Sequence, residues 1–264
     1  MAGNDSPLEE QIEVARRKHE AGDTAGAIDA CSGVLASFPD SIEALNWRAY
    51  LLQKVGRTLD SLQDLDKAIS LAPRHVDFRV LRGNALSAKG DLEGALADYS
   101  LAIELEPSNE EARFGRALVR SKQGNLASAI EECSQAIRVK PTAVAYLHRG
   151  CYRERSGEWE GAILDYDEAI RIDPLYHDAW FNRGMLKARR DRFSHAATDF
   201  TEAIRISPVA TNYLYRAMVL EDSGDPRGAH HDFIQALRLD PENKEAQAGR
   251  DRVELKLRNH FEES

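Results

Sequence analysis

The sequence predicts an all-α solenoid of antiparallel helix pairs, seven pairs followed by a capping helix. Three observations carry this: prolines on a period of 34 or 33 residues, small residues at fixed slots in every period, and apolar residues three and four apart around them. The lattice prolines are Pro39, Pro73, Pro107, Pro141, Pro174, Pro208 and Pro241, with only Pro7 and Pro226 lying off it.

The second helix of each unit is defined by two small slots, twelve and five residues before the proline. They hold Ala27, Ser61, Ala95, Ala129, Ala162, Ala196 and Ala229, then Val34, Ala68, Ala102, Ala136, Ala169, Ala203 and Ala236. Between them lies a bulky slot, Cys31, Leu65, Tyr99, Cys133, Tyr166, Phe200 and Phe233. The first helix has its own small slot, Ala15, Ala49, Gly83, Ala117, Gly150, Gly184 and Ala217. Gly22, Gly56, Gly90, Gly124, Gly157 and Gly224 mark the turn between the helices, and in the sixth unit Asp191 replaces the glycine. Asp23, Asp91, Asn125 and Asp225 follow as N-caps, with Pro226 in the first turn of the last second helix. These features place units at 8–41, 42–75, 76–109, 110–142, 143–176, 177–209 and 210–243, after a tail at 1–7. Residues 244–264 form a capping helix and tail, in which Ala248, Val253, Leu255 and Leu257 alternate with charges.

The small, aromatic and proline positions resemble the tetratricopeptide repeat over nearly the whole chain. The resemblance implies a right-handed superhelix whose concave surface is lined by first helices and binds peptides or partner proteins. Chaperone-docking members use lysine, asparagine and arginine at fixed first-helix slots to clamp an acidic C-terminus. This chain does not supply that set: the slots hold Ile12 with Arg16, Asn46 with Tyr50, Val80 with Asn84 and Phe114 with Leu118, and Asn182 stands alone.

Composition narrows the function classes. A net charge of −9 argues against a nucleic-acid partner, which needs clustered positive charge. No apolar run reaches the roughly 18 residues of a membrane helix, so no membrane partner is expected and the chain reads as cytoplasmic. Three widely spaced cysteines, Cys31, Cys133 and Cys151, fit a reducing compartment. His148 and Cys151 could offer two metal ligands, short of the four of a zinc site. No nucleophile stands near a base and there is no phosphate loop. No catalytic residue, metal or cofactor is therefore expected, and the chain reads as non-enzymatic.

Two further rows bear on function. Arg48, Arg82, Arg116, Arg149, Arg183 and Arg216 share one first-helix slot, and sixteen residues after each lies an acid: Asp64, Asp98, Glu132, Asp165, Asp199 and Asp232. In the first unit both are lost, to Val14 and Ala30, so the two rows read as a structural ion-pair ladder rather than a ligand site. On the face expected to line the groove, the fourth to seventh units carry only apolar residues three before and one after the small slot. These are Phe114 and Leu118, Leu147 and Cys151, Phe181 and Met185, and Leu214 and Met218. Such a stripe fits either packing between first helices or a surface for an apolar peptide or helix on a partner protein. The expected function is a scaffold or adaptor, the alternative being self-association through the same groove.

Overall fold

The computed structural model describes residues 7–262. Fifteen helices and no strand occur among them. The first eight are α1 (Pro7–Glu20), α2 (Thr24–Ser37), α3 (Ile42–Lys54), α4 (Thr58–Leu71), α5 (Val76–Lys89), α6 (Leu92–Leu105), α7 (Glu110–Lys122) and α8 (Leu126–Val139). The rest are α9 (Ala143–Ser156), α10 (Trp159–Ile172), α11 (His177–Arg189), α12 (Phe193–Ile206), α13 (Ala210–Asp222), α14 (Pro226–Leu239) and α15 (Lys244–Glu262). The chain is thus an all-α helical-repeat solenoid of seven pairs and a cap. It divides into two compact units, Met1–Glu132 and Cys133–Ser264, with the boundary inside α8. The tail expected at 1–7 lies outside the described residues except for Pro7, where α1 begins.

Local chemistry sets the helix ends. Asp23, Asp91, Asn125 and Asp225 each accept a hydrogen bond from the backbone N–H three residues on, at 2.8–3.0 Å. Three first helices and the cap use the same device. Ser41, Asn109, Thr142 and Asn243 accept from Ala44, Ala112, Ala145 and Ala246. At the turns between paired helices the chain enters the left-handed region, as at Gly124 with φ 80°. Asp191, at φ 55°, is the only non-glycine residue there among those described, and aspartate is one of the few side chains that tolerate it.

Packing within a pair is a match of small against large. A Cβ on Gly83 would lie 2.7 Å from the Tyr99 ring, one on Gly150 2.7 Å from Tyr166, and one on Gly184 3.2 Å from Phe200. Where the bulky slot holds Cys31, Leu65 or Cys133, the facing small slot accommodates Ala15, Ala49 or Ala117. Phe233 faces Ala217 and instead forces its glycine onto the cap, where a Cβ at Gly249 would meet the ring at 2.3 Å. The cap seats Ala246 and Val253 against that cluster. Ala248 and Leu255 are exposed. The buried face follows 246, 249 and 253 because Phe233 fixes the rotation of α15.

The arginine and acid rows meet in six of the seven pairs, all but the first, where Val14 and Ala30 stand in their place. Five aspartates take a guanidinium fork: Arg48 on Asp64, Arg82 on Asp98, Arg149 on Asp165, Arg183 on Asp199 and Arg216 on Asp232, with shortest contacts of 2.6–2.7 Å. Glu132, with its longer arm, takes a single bond from Arg116 Nη2 at 2.8 Å. The five aspartates are buried. Each arginine has a further acceptor, one that belongs to the preceding second helix. Its Nη1 donates to Ser32, Asp66, Ser100, Ser134, Asp167 or Thr201 in turn. These six residues form another row on the same lattice, seven before each proline. One planar cation therefore joins three helices, which a fork of fixed N–H donors can do and a point charge cannot. The next lattice position, Arg250, has Ile234 in its acceptor slot and turns to Asp251 at 2.7 Å instead.

The cap is held by a second ionic cluster. Arg252 and Lys256 of α15 reach Glu221 of α13 at 2.6 and 2.7 Å. Their hydrogen bonds hold the Glu221 carboxyl down at about 2.

Two outcomes follow. Asp64→Leu leaves Arg48 half-buried without its main partner and lowers the unfolding free energy by about 3–5 kcal/mol, while adding Arg48→Leu recovers part of it, measured by urea denaturation. Because Glu221 is more acidic folded than unfolded, its contribution is complete above the unfolded value near 4.5 and fades as pH falls toward 2. Glu221→Gln thus lowers the thermal midpoint at pH 7, and its difference from wild type closes between pH 4.5 and 2.

Candidate protein-binding surface

The apolar rows are carried on first helices, and the two compact units divide them. Phe114 and Leu118 lie on α7 in the first unit. The other six residues lie on α9, α11 and α13 in the second.

In the second unit the two rows separate by depth. Leu147 and Leu214, three before the small slot, are only 7% and 6% exposed and belong to the core. Leu147 packs with Tyr166 and with Ala179 of α11, and Leu214 with Phe233 and Ala246 of α15. For these two residues the arrangement is the packing between first helices that was one of the two readings of the stripe. Adjacent first helices touch directly, so the slot between them fills. Ile12 and Val80, in the same slot of the first unit, are buried likewise.

Phe181 is half-buried by an aromatic cluster of its own. Its ring lies 5.7 Å from Phe200 and 5.4 Å from Tyr215, both edge to face, and His177 stacks on it at 5.9 Å. His177 is itself held by Asn212, whose amide nitrogen lies 2.9 Å from Nε2. The residues one after the small slot stay nearer the surface. Cys151, Met185 and Met218 are partly buried at the edges of three successive clusters. In the first unit Leu118, in this slot, is 46% exposed, while Phe114 is half-buried.

The polar groups nearby are engaged. Tyr166 donates to Glu154 at 2.9 Å and contacts the Cys151 sulfur at 3.6 Å, and Asn182 donates to that sulfur at 3.5 Å. Burial pushes the Cys151 thiol up, against the lowering effect of these bonds, so it is a protonated side chain at neutral pH rather than a thiolate. Burial also lowers the basicity of His148, its neighbour one turn away. No group of three or more His, Cys, Asp or Glu side chains able to hold a metal occurs among the described residues. No helix among them is long and apolar enough to cross a membrane. Chemically the arrangement offers apolar contact and polarisable sulfur.

Two truncations separate packing from surface. Phe181→Ala removes a ring from the cluster around Phe200 and costs roughly 2–3 kcal/mol, below the 3–5 of a fully buried ring. Leu118→Ala stays within about 0.5 kcal/mol of wild type. Chemical denaturation of both measures the contrast.

Comparison with known proteins accords with the repeat architecture. A family model described as TPR repeat matches residues 83–124 and 155–190, and one described as tetratricopeptide repeat matches 215–260. No curated protein matches the sequence significantly. Among solved structures, a tetratricopeptide repeat protein from Parabacteroides merdae is 18% identical with a TM-score of 0.66, the match covering 93% of this chain and 98% of that one. YrrB, described as a TPR protein with an unusual peptide-binding site, is 20% identical with a TM-score of 0.55, over 71% of this chain and 97% of its own. A chain of the APC/C hetero-tetramer Cut9–Hcn1 is 14% identical with a TM-score of 0.65, over 90% of this chain and 48% of that one. At these identities the structures speak for the fold alone. With its seven proline-stopped helix pairs and the matching repeat models, the chain is a tetratricopeptide-repeat protein.

Proposed function

We propose that this protein is a non-enzymatic scaffold or adaptor. It holds a partner protein through an apolar peptide or helix laid on the first helices of its later repeats. The observation that carries this reading is the row of Cys151, Met185 and Met218, partly exposed on three successive first helices of the second unit. Apolar side chains kept at the edge of a core, when a charged one would be better solvated, suit a surface that is covered in use. Methionine suits it further because its flexible thioether fits varied partners. The nearby arginines do not compete for this role, being bound to carboxylates. YrrB, by its description, also binds a peptide.

Phe181, Leu147 and Leu214 take a different part, supporting the row from beneath. The binding test therefore uses Met185→Glu with Met218→Glu, with helicity checked by circular dichroism. Affinity capture from the native lysate with wild type and the folded double variant, followed by mass spectrometry, is expected to show partners retained by wild type and lost with the variant. An identical set with both overturns the proposal. Sedimentation over a hundredfold concentration range covers self-association: an assembly that the double variant dissolves would make a second copy the occupant.

A further inference from the structure

One junction between first helices of the second unit is built from polar side chains. On the lattice, the residue six before one ladder arginine packs with the residue four before the next: Ile42 with Phe78, Val76 with Ala112, and Ala143 with Ala179. Where α11 meets α13 this pair is His177 and Asn212. Asn212 is only 1% exposed, in a slot that holds Ala112, Ala145, Ala179 and Ala246 on other helices. Two polar residues have thus entered an apolar contact together.

Their bonding fixes the state of the ring. The Asn212 amide nitrogen donates to the Ser207 carbonyl at 2.7 Å and lies 2.9 Å from His177 Nε2, while the amide oxygen is farther from that atom, at 3.3 Å. An amide nitrogen can only donate. Nε2 therefore accepts, and the single proton of a neutral ring sits on Nδ1, which meets the Asp178 carboxylate at 2.9 Å. A solvent proton taken up at Nε2 would set two donors against each other. Turning the amide over gives no relief, because its oxygen would then face the Ser207 carbonyl, one acceptor against another. Among the described residues Asp178, on the same helix, is the one charged group at bonding distance from the ring. The other helices packed on α11 bring none: α9, α10 and α12 make no polar contact with the ring, and α13 brings the neutral amide. A charged imidazole thus has no place in the closed contact, and its one ionic partner, Asp178, lies exposed on the outside.

We propose that His177 and Asn212 form an acid-released latch between α11 and α13, closed while the imidazole is neutral and opened when it is charged, the ring then turning out beside Asp178. Histidine is the side chain whose ordinary charge change falls between about pH 5 and 8, so the latch responds to mild acid. Opening bares one face of the Phe181 ring, on which His177 stacks at 5.9 Å. The latch involves no partner and stands whether or not the row of Cys151, Met185 and Met218 binds one.

The test is magnetic resonance of the full chain at about pH 7.5 and about pH 5, either side of the histidine transition. At the higher pH His177 is expected with Nδ1 protonated and Nε2 bare, its ring protons in Overhauser contact with Phe181. At the lower pH that contact disappears. Protection of the Asn212 side-chain amide, relative to a free asparagine at the same pH, falls about tenfold, the equivalent of one lost hydrogen bond. Asn212→Ala restores the residue of the neighbouring slots and is expected to fold. With the opposing donor gone, its charged His177 keeps the contact with Phe181 at the lower pH. Three results overturn the proposal: Nε2 protonated at the higher pH, the Phe181 contact and the amide protection both unchanged at the lower, or the same loss of contact in Asn212→Ala as in wild type.

Discussion

The arrangement rests on one guanidinium in each repeat from the second onward, which binds three helices. Each ladder arginine takes a carboxylate from the second helix of its own pair and a hydroxyl or carboxylate from the second helix before it. A repeat array is stabilised by each unit's own packing and by the interface with its neighbour. Here both terms pass through the same side chain. The charge is half-buried and the aspartates buried, so the pair is costly to desolvate and more costly still to break on one side. Its gain is geometric: the planar fork fixes how far one pair is turned against the next, which leucines sliding over one another would not do.

This placement frees the rest of the first helix. With the positive charge drawn between helices, the adjacent slots carry side chains chosen for other reasons. In the second unit they hold sulfur and aromatic groups, some in the core and some at its edge. In the first unit they hold an aromatic cluster with unsatisfied polar atoms.

The helix pairs and turns were legible in the sequence because each rests on a local rule repeated along the chain, and so were the four caps Asp23, Asp91, Asn125 and Asp225 that follow the turns. Asp191 could be seen to replace a glycine, and it adopts the glycine's left-handed conformation. The pairing of arginine with acid was legible from their joint loss at Val14 and Ala30. The acceptor row from Ser32 to Thr201 was on the same lattice and escaped notice because its residues differ in kind; only their shared ability to accept a hydrogen bond unites them. Depth was the other blind spot. Leu147 and Met185 look alike as apolar groove residues, yet the contact between neighbouring first helices buries one and leaves the other at the edge. The rotation of α15 was not legible for a similar reason, since the ring of Phe233 sets it from another helix. Single-chain periodicity shows which face a residue is on but not how closely the next helix approaches.

Native-state hydrogen exchange on Arg183→Leu tests the central claim most directly. If the guanidinium joins three helices, amide protection falls in α10, which supplies Asp167, as well as in α11 and α12. Loss confined to α11 and α12, with α10 as protected as in wild type, would reduce the ladder to ordinary pairs within each repeat and contradict the account.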